Sequence, residues 1–142
     1  MRFWDSSAIV PLLLRQPRTS DVVAVLDEDD ELVVWWGSVV ECVSAVARLR
    51  REGVVDVEAE STVLALLRDL SGSCYEIRPS EELRSTAVRL LRTHRLRTAD
   101  ALQLAAALAW SGTPQGEVFV TLDDRLGTAA QLEGFTVAPR QG

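Results

Sequence analysis

Short apolar runs alternate with stretches of helical spacing from one end of this chain to the other, and few folds accommodate that order. The runs lie at residues 1–5, 32–35, 74–77, 117–122 and 135–137. Leu32-Val33-Val34-Trp35 and Val118-Phe119-Val120 are apolar without a break, as in strands covered on both faces. Between the runs, apolar residues recur three and four positions apart. Examples are Ile9, Leu12 and Leu13 in 6–16, Val22, Val25 and Leu26 in 19–30, Val63, Leu67 and Leu70 in 56–71, and Leu83, Ala87, Leu90 and Leu91 in 80–93. Further helices are predicted over 38–52, 98–111 and 123–133, with Gly53, Gly112 and Gly134 as stops. The 98–111 segment is apolar nearly all round, so it belongs at the centre. Pro11 is expected to kink the first helix or delay its start. There is no repeat, low-complexity tract or linker. The prediction is one domain over 1–142, an α/β fold with three α/β/α layers on a mostly parallel sheet.

Composition narrows the chemistry. A chain of 142 residues buries a core without disulfide or metal staples. No apolar run approaches the ~18 residues of a membrane span, and Asp5 leaves no room for a signal-peptide core. A cytoplasmic protein with no membrane partner is expected. Cys42 and Cys74 are far apart and match no zinc spacing, which agrees with a reducing compartment. All 15 basic residues are arginine. Without lysine there is no Walker A loop, no Schiff base and no receiver-domain lysine. A net charge of −6 argues against a general polyanion binder.

Parallel α/β sheets place their ligand sites beyond the carboxyl ends of the strands. The polar residues at those handovers are acids: Asp5 after the first strand, Asp123 after the Val118–Val120 strand, and Glu41 and Asp100 near two other helix starts. Each has a capping alternative. Ser38 and Glu41 fit a capping box, Thr98 fits an N-cap with Asp100 in the first turn, and Asp5 and Asp123 fit N-caps themselves. Together they make a different case. Two unit charges ~4 Å apart repel by roughly 4 kcal/mol at an effective dielectric of ~20. Four converging carboxylates need protons or cations. An all-oxygen set suits Mg²⁺, with Mn²⁺ as substitute, whereas zinc favours His or Cys and His94 is the sole histidine. Such ions serve phosphoryl chemistry by activating water and stabilising the leaving oxygen.

Four passages, in order, resemble the PIN domain and, within it, the VapC-type toxins of toxin–antitoxin pairs. They are Phe3-Trp4-Asp5-Ser6-Ser7-Ala8, Trp35-Trp36-Gly37-Ser38-Val39-Val40-Glu41-Cys42-Val43-Ser44-Ala45, Leu96-Arg97-Thr98-Ala99-Asp100-Ala101-Leu102-Gln103-Leu104-Ala105, and Phe119-Val120-Thr121-Leu122-Asp123-Asp124-Arg125-Leu126 with Ala129-Ala130 and Gly134-Phe135. The resemblance implies a divalent-metal endoribonuclease that leaves a 5′-phosphate. It implies that Asp5, Glu41, Asp100 and Asp123 hold the metal, with Ser7, Thr121 and Asp124 around them. It also implies a homodimer and a small VapB-type antitoxin whose basic segment occupies the acidic groove. A housekeeping PIN nuclease and a catalytically silent PIN-like binding module are the alternatives. Haloacid dehalogenase-like phosphatases fit less well, because Ser7 stands where their second acid belongs and the lysine is missing.

Arg92, Arg95 and Arg97 precede Thr98 and are candidates for RNA phosphate contact, or for a solvated helix end. Arg48, Arg50 and Arg51 read as a dipole-favourable helix end. Trp35 and Trp36 offer base stacking, but strand alternation predicts that one of them is buried. Trp4 reads as core and His94 as a surface residue.

Overall fold

A computed structural model describes residues 1–140. Five strands run in chain order as β1 (Arg2–Trp4), β2 (Leu32–Trp35), β3 (Tyr75–Ile77), β4 (Val118–Val120) and β5 (Thr136–Ala138). Seven helices separate them: α1 (Ser6–Leu13), α2 (Thr19–Glu28), α3 (Ser38–Arg51), α4 (Val57–Ser73), α5 (Glu81–Thr93), α6 (Thr98–Ser111) and α7 (Asp124–Leu132). The strands form one sheet in the order β3-β2-β1-β4-β5, and every pairing is parallel.

Alternation along each strand separates two cores. Phe3, Val33, Trp35 and Phe119 pack on one face with Leu83, Ala87 and Leu90 of α5, Leu104 and its alanine neighbours of α6, and Leu126 of α7. Trp4, Leu32, Val34 and Val120 pack on the other with Ile9 of α1, Val22 of α2, Cys42 and Val46 of α3, and Val63 and Leu67 of α4. This is the expected three-layer α/β/α arrangement. It also explains why α6 is apolar all round: Ala101 and Leu104 through Ala107 are all buried.

Local differences from expectation have plain causes. Helix α1 ends at Leu13 rather than Gln16, two residues after Pro11. The Thr19 hydroxyl donates to the Pro11 carbonyl at 2.8 Å and accepts the Gln16 amide at 2.8 Å, closing that end. Gly112 does cap α6, with φ of 72°, a conformation that favours glycine. His94 is not a free surface residue. Only 9% of its side chain is exposed, and its Nε2 lies 2.7 Å from Glu133 Oε2. Arg89 donates to both Glu133 oxygens, at 2.8 and 3.3 Å. This cluster ties the C-terminal ends of α5 and α7 together.

The winding direction reverses at β1. The chain builds outward from β1 through β2 to β3, then returns to place β4 on the other flank of β1. The crevice between the carboxyl ends of β1 and β4 is thus the topological switch point, where open α/β sheets accept ligands.

Candidate active-site cleft

Asp5 is the first residue beyond β1. Its amide donates to the Val120 carbonyl at 2.9 Å, extending the β1–β4 ladder by one bond. Its carboxylate caps α1 by accepting the Ser7 amide at 3.3 Å. Asp123, beyond β4, caps α7 by accepting the Leu126 amide at 2.9 Å. The capping alternative therefore holds for both, without removing either from the cleft.

It does not hold for Glu41. The N-cap of α3 is Gly37, with no side-chain cap. The Glu41 carboxylate instead accepts from Ser6 Oγ at 3.1 Å and from Gln103 Nε2 at 2.9 Å. Nor is Thr98 a cap, since α6 begins after Arg97 and has no side-chain cap. Asp100 lies in its first turn.

All four acids line one open cleft of about 770 Å³, together with Asp124, Ser6, Ser7, Gln16, Arg48, Arg97 and Arg125. Asp5 is the deepest, at 3% exposed. Burial pushes its carboxyl up, and the Asp100 charge adds to this, while the Ser7 and Thr121 hydroxyls and the Ser7 amide pull it down. Burial, then the charges of Asp5 and Asp100, raise Glu41 to about 7 against its two hydrogen bonds. Asp100 is raised by burial and by Asp123, against Arg97 and Arg125. Asp5, Glu41 and Asp100 thus each feel at least one other acid of the set.

Two hydroxyls at the base, 3.2 Å apart, meet at one oxygen of Asp5. An ionised carboxylate only accepts, so Ser7 Oγ donates its single proton to Asp5 Oδ2 at 2.6 Å and accepts the Leu122 amide at 3.0 Å. Thr121 Oγ1 accepts the Asp123 amide at 3.0 Å and donates to the same Oδ2 at 2.9 Å. Ser7 and Thr121 thereby stitch the β1–α1 junction to the β4–α7 junction. Among the described residues, Asp5 Oδ1 takes one hydrogen bond, from Ser6 Oγ at 3.4 Å, and Ser6 stands closer to Glu41. That oxygen keeps lone pairs to offer.

The donor set is all oxygen and carries excess negative charge, which fits a hard divalent cation. The acids share a cleft rather than a single ion-sized hole. Among the described residues, no three carboxylate, thiol or imidazole side chains stand close enough to enclose one ion directly. Mg²⁺ keeps several of its waters and takes one or two carboxylates directly, so a spaced set suits it. Neither cysteine lines the cleft. Burial pushes the Cys42 thiol up to about 12 and Cys74 to about 11.

Of the arginines expected near the site, Arg97 lines the cleft, whereas Arg92 and Arg95 are exposed outside it. Arg48, read from sequence as a helix end, lines it, and so does Arg125. Trp35 is buried and Trp36 is 50% exposed, and neither borders the cleft. Sequence reasoning missed the roles of Ser6 and Gln103. Gln103 had a signal: a lone amide on an apolar helix, three residues and therefore one turn beyond Asp100.

A family model described as the PIN domain matches residues 2–132. Ribonuclease VapC45 of Mycobacterium tuberculosis is 34% identical over 142 residues, covering 98% of this chain and 95% of that protein. Among solved structures, FitAcB from Neisseria gonorrhoeae superposes with a TM-score of 0.67 at 20% identity, over 96% of both chains. A toxin–antitoxin complex from Klebsiella pneumoniae superposes with a TM-score of 0.69 at 13% identity, also over 96% of both. At such identities the two structures speak to the fold alone.

Proposed function

Because the chain belongs to the PIN domain family, among its VapC-type ribonucleases, we propose that it is a Mg²⁺-dependent endoribonuclease, the toxin of a toxin–antitoxin pair. One observation carries this reading: Asp5, Glu41, Asp100 and Asp123 line one cleft at the β1–β4 switch point. These four carboxylates would hold the metal, with Mn²⁺ as substitute. A divalent ion bound there supplies a water activated for attack on phosphorus and neutralises charge on the phosphate.

The chain's own residues do the positioning. Ser7 and Thr121 fix one oxygen of Asp5 and leave the other open. Ser6 and Gln103 hold Glu41. Asp124, on the rim, adds to the negative potential that attracts the cation. Arg48 on α3 and Arg97 and Arg125 at the starts of α6 and α7 line the walls, where they can take RNA phosphates on either side of the acids. They supply the attraction that a chain of net charge −6 lacks as a whole. The acidic floor is equally suited to the basic segment of a small VapB-type antitoxin, which would exclude substrate by occupying it. A homodimer is part of this reading.

The test is cleavage of structured and single-stranded RNA with Mg²⁺, with EDTA, and by Asp5→Asn and Asp100→Asn. Cleavage should require Mg²⁺, stop in EDTA and fall at least about 100-fold in each variant. Undiminished cleavage by both variants would remove the assignment of the site.

A further inference from the structure

Gln103 is the one polar residue among the buried side chains of α6. It is fully buried, with Ala101, Leu104, Ala105, Ala106 and Ala107 buried on the same helix. Both contacts of its amide nitrogen go to α3: Nε2 donates to Ser38 Oγ at 3.0 Å and to Glu41 Oε2 at 2.9 Å. When Glu41 is ionised, as a metal-holding carboxylate would be, its oxygens only accept, and the amide turns its nitrogen toward them. The consequence is an orphan: Gln103 Oε1 is buried with no hydrogen-bond partner. A buried unpaired carbonyl oxygen is a cost to folding that calls for a reason.

We propose that Gln103 is a positioning residue that fixes the Glu41 carboxylate relative to Asp100 for metal binding. The inference rests on the reading of Glu41 and Asp100 as metal-holding acids. Glu41 has a long side chain with several free torsions, and two elements pin it. Ser6 of α1 holds Oε1 and Gln103 of α6 holds Oε2. Because Asp100 lies one turn before Gln103, a single helix carries one carboxylate and the group that locates the other. Their separation is then set by helix geometry rather than by loop position. Partners of this kind typically change metal affinity 10–100-fold when removed.

The experiment measures Mn²⁺ binding by calorimetry, with no RNA present, for the wild type, Gln103→Met and Ser38→Ala. Each protein is also assayed for RNA cleavage across a Mn²⁺ series. Gln103→Met should bind Mn²⁺ about 10–100-fold more weakly. Its cleavage should recover at high Mn²⁺, with KM for RNA unchanged. Ser38→Ala removes one of the two α6–α3 bonds but leaves the amide on Glu41, and should bind Mn²⁺ within twofold of the wild type. Equal affinity in Gln103→Met and wild type overturns the proposal, and so does an equal loss in Ser38→Ala, which would assign the effect to packing. Gln103→Leu is the second substitution should methionine fail to pack. If neither folds, Gln103 is structural and the proposal falls. A wild-type protein that binds no Mn²⁺ defeats the reading of the acids themselves, a result distinct from the others.

Discussion

Neutralising Glu41 is expected to make the metal-free protein more stable at alkaline pH. Burial and the charges of Asp5 and Asp100 hold its carboxyl at about 7 in the folded chain, against an ordinary value of 4.5. The folded state therefore holds this proton more tightly than the unfolded state does. The stability linked to it is complete below pH 4.5, declines as pH rises and is lost above pH 7. Taken at 1.36 kcal/mol per unit, that interval amounts to roughly 3 kcal/mol. Glu41 is partly open to solvent, which screens the charge and reduces the figure to about 1.5 kcal/mol. Glu41→Gln keeps the shape, and its amide can turn its oxygen to the Gln103 N–H and its nitrogen to Ser6 Oγ. In EDTA at pH 8 the variant should be about 1.5 kcal/mol more stable than the wild type, near 4 °C in Tm for a chain of this size. The advantage should shrink as pH falls toward 4.5. Urea and thermal unfolding followed by circular dichroism across this range provide the assay. Millimolar Mg²⁺ at pH 8 should raise the Tm of the wild type more than that of the variant. A Glu41→Gln protein no more stable than wild type at pH 8 without metal refutes the reasoning.

Two further outcomes follow from geometry away from the acids. A Cβ at Gly37 would lie 2.5 Å from Trp35 Nε1, so Gly37→Ala should destabilise by about 1–3 kcal/mol through forced movement of a buried indole, read as a lower urea midpoint with unchanged slope. Glu133→Gln should cost about 1 kcal/mol, already discounted for solvent, because the Arg89 fork and His94 both lose their charged acceptor. Arg89 and His94 hold the Glu133 carboxyl below its ordinary range. The difference from wild type should therefore be full above about pH 4.5, vanish as pH falls through the lowered value, and narrow in high salt.

The inner strands and most helices were legible because two-sided burial writes itself into sequence. Val118-Phe119-Val120 cannot sit on a solvated face, and Gly112 has few uses other than ending a helix. The acids were legible as a set because strand ends are where polar residues have no core to join. What escaped was pairing across the fold. Nothing adjacent to Glu41 indicates that its partners are Ser6 and Gln103, 35 and 62 positions away. A capping box is a local pattern, and Ser38 with Glu41 satisfied it on spacing alone. Arg48 was read from its own helix end, because only the packing of α3 beside α1 brings it to the cleft wall. His94 was read from its polarity, whereas its burial depends on the return of α7 to the end of α5.

The reversal of winding at β1 has a consequence in time. Strand β1 precedes the other elements in sequence, yet its second neighbour, β4, lies more than 110 residues downstream, at Val118–Val120. A nascent polypeptide that stops short of Thr121 lacks that neighbour, the hydroxyl that braces Asp5, and Asp123 beyond it. A nascent product that ends before Asp123 cannot assemble the cleft, so a cell that makes this protein meets the complete acid quartet only after synthesis has passed that residue.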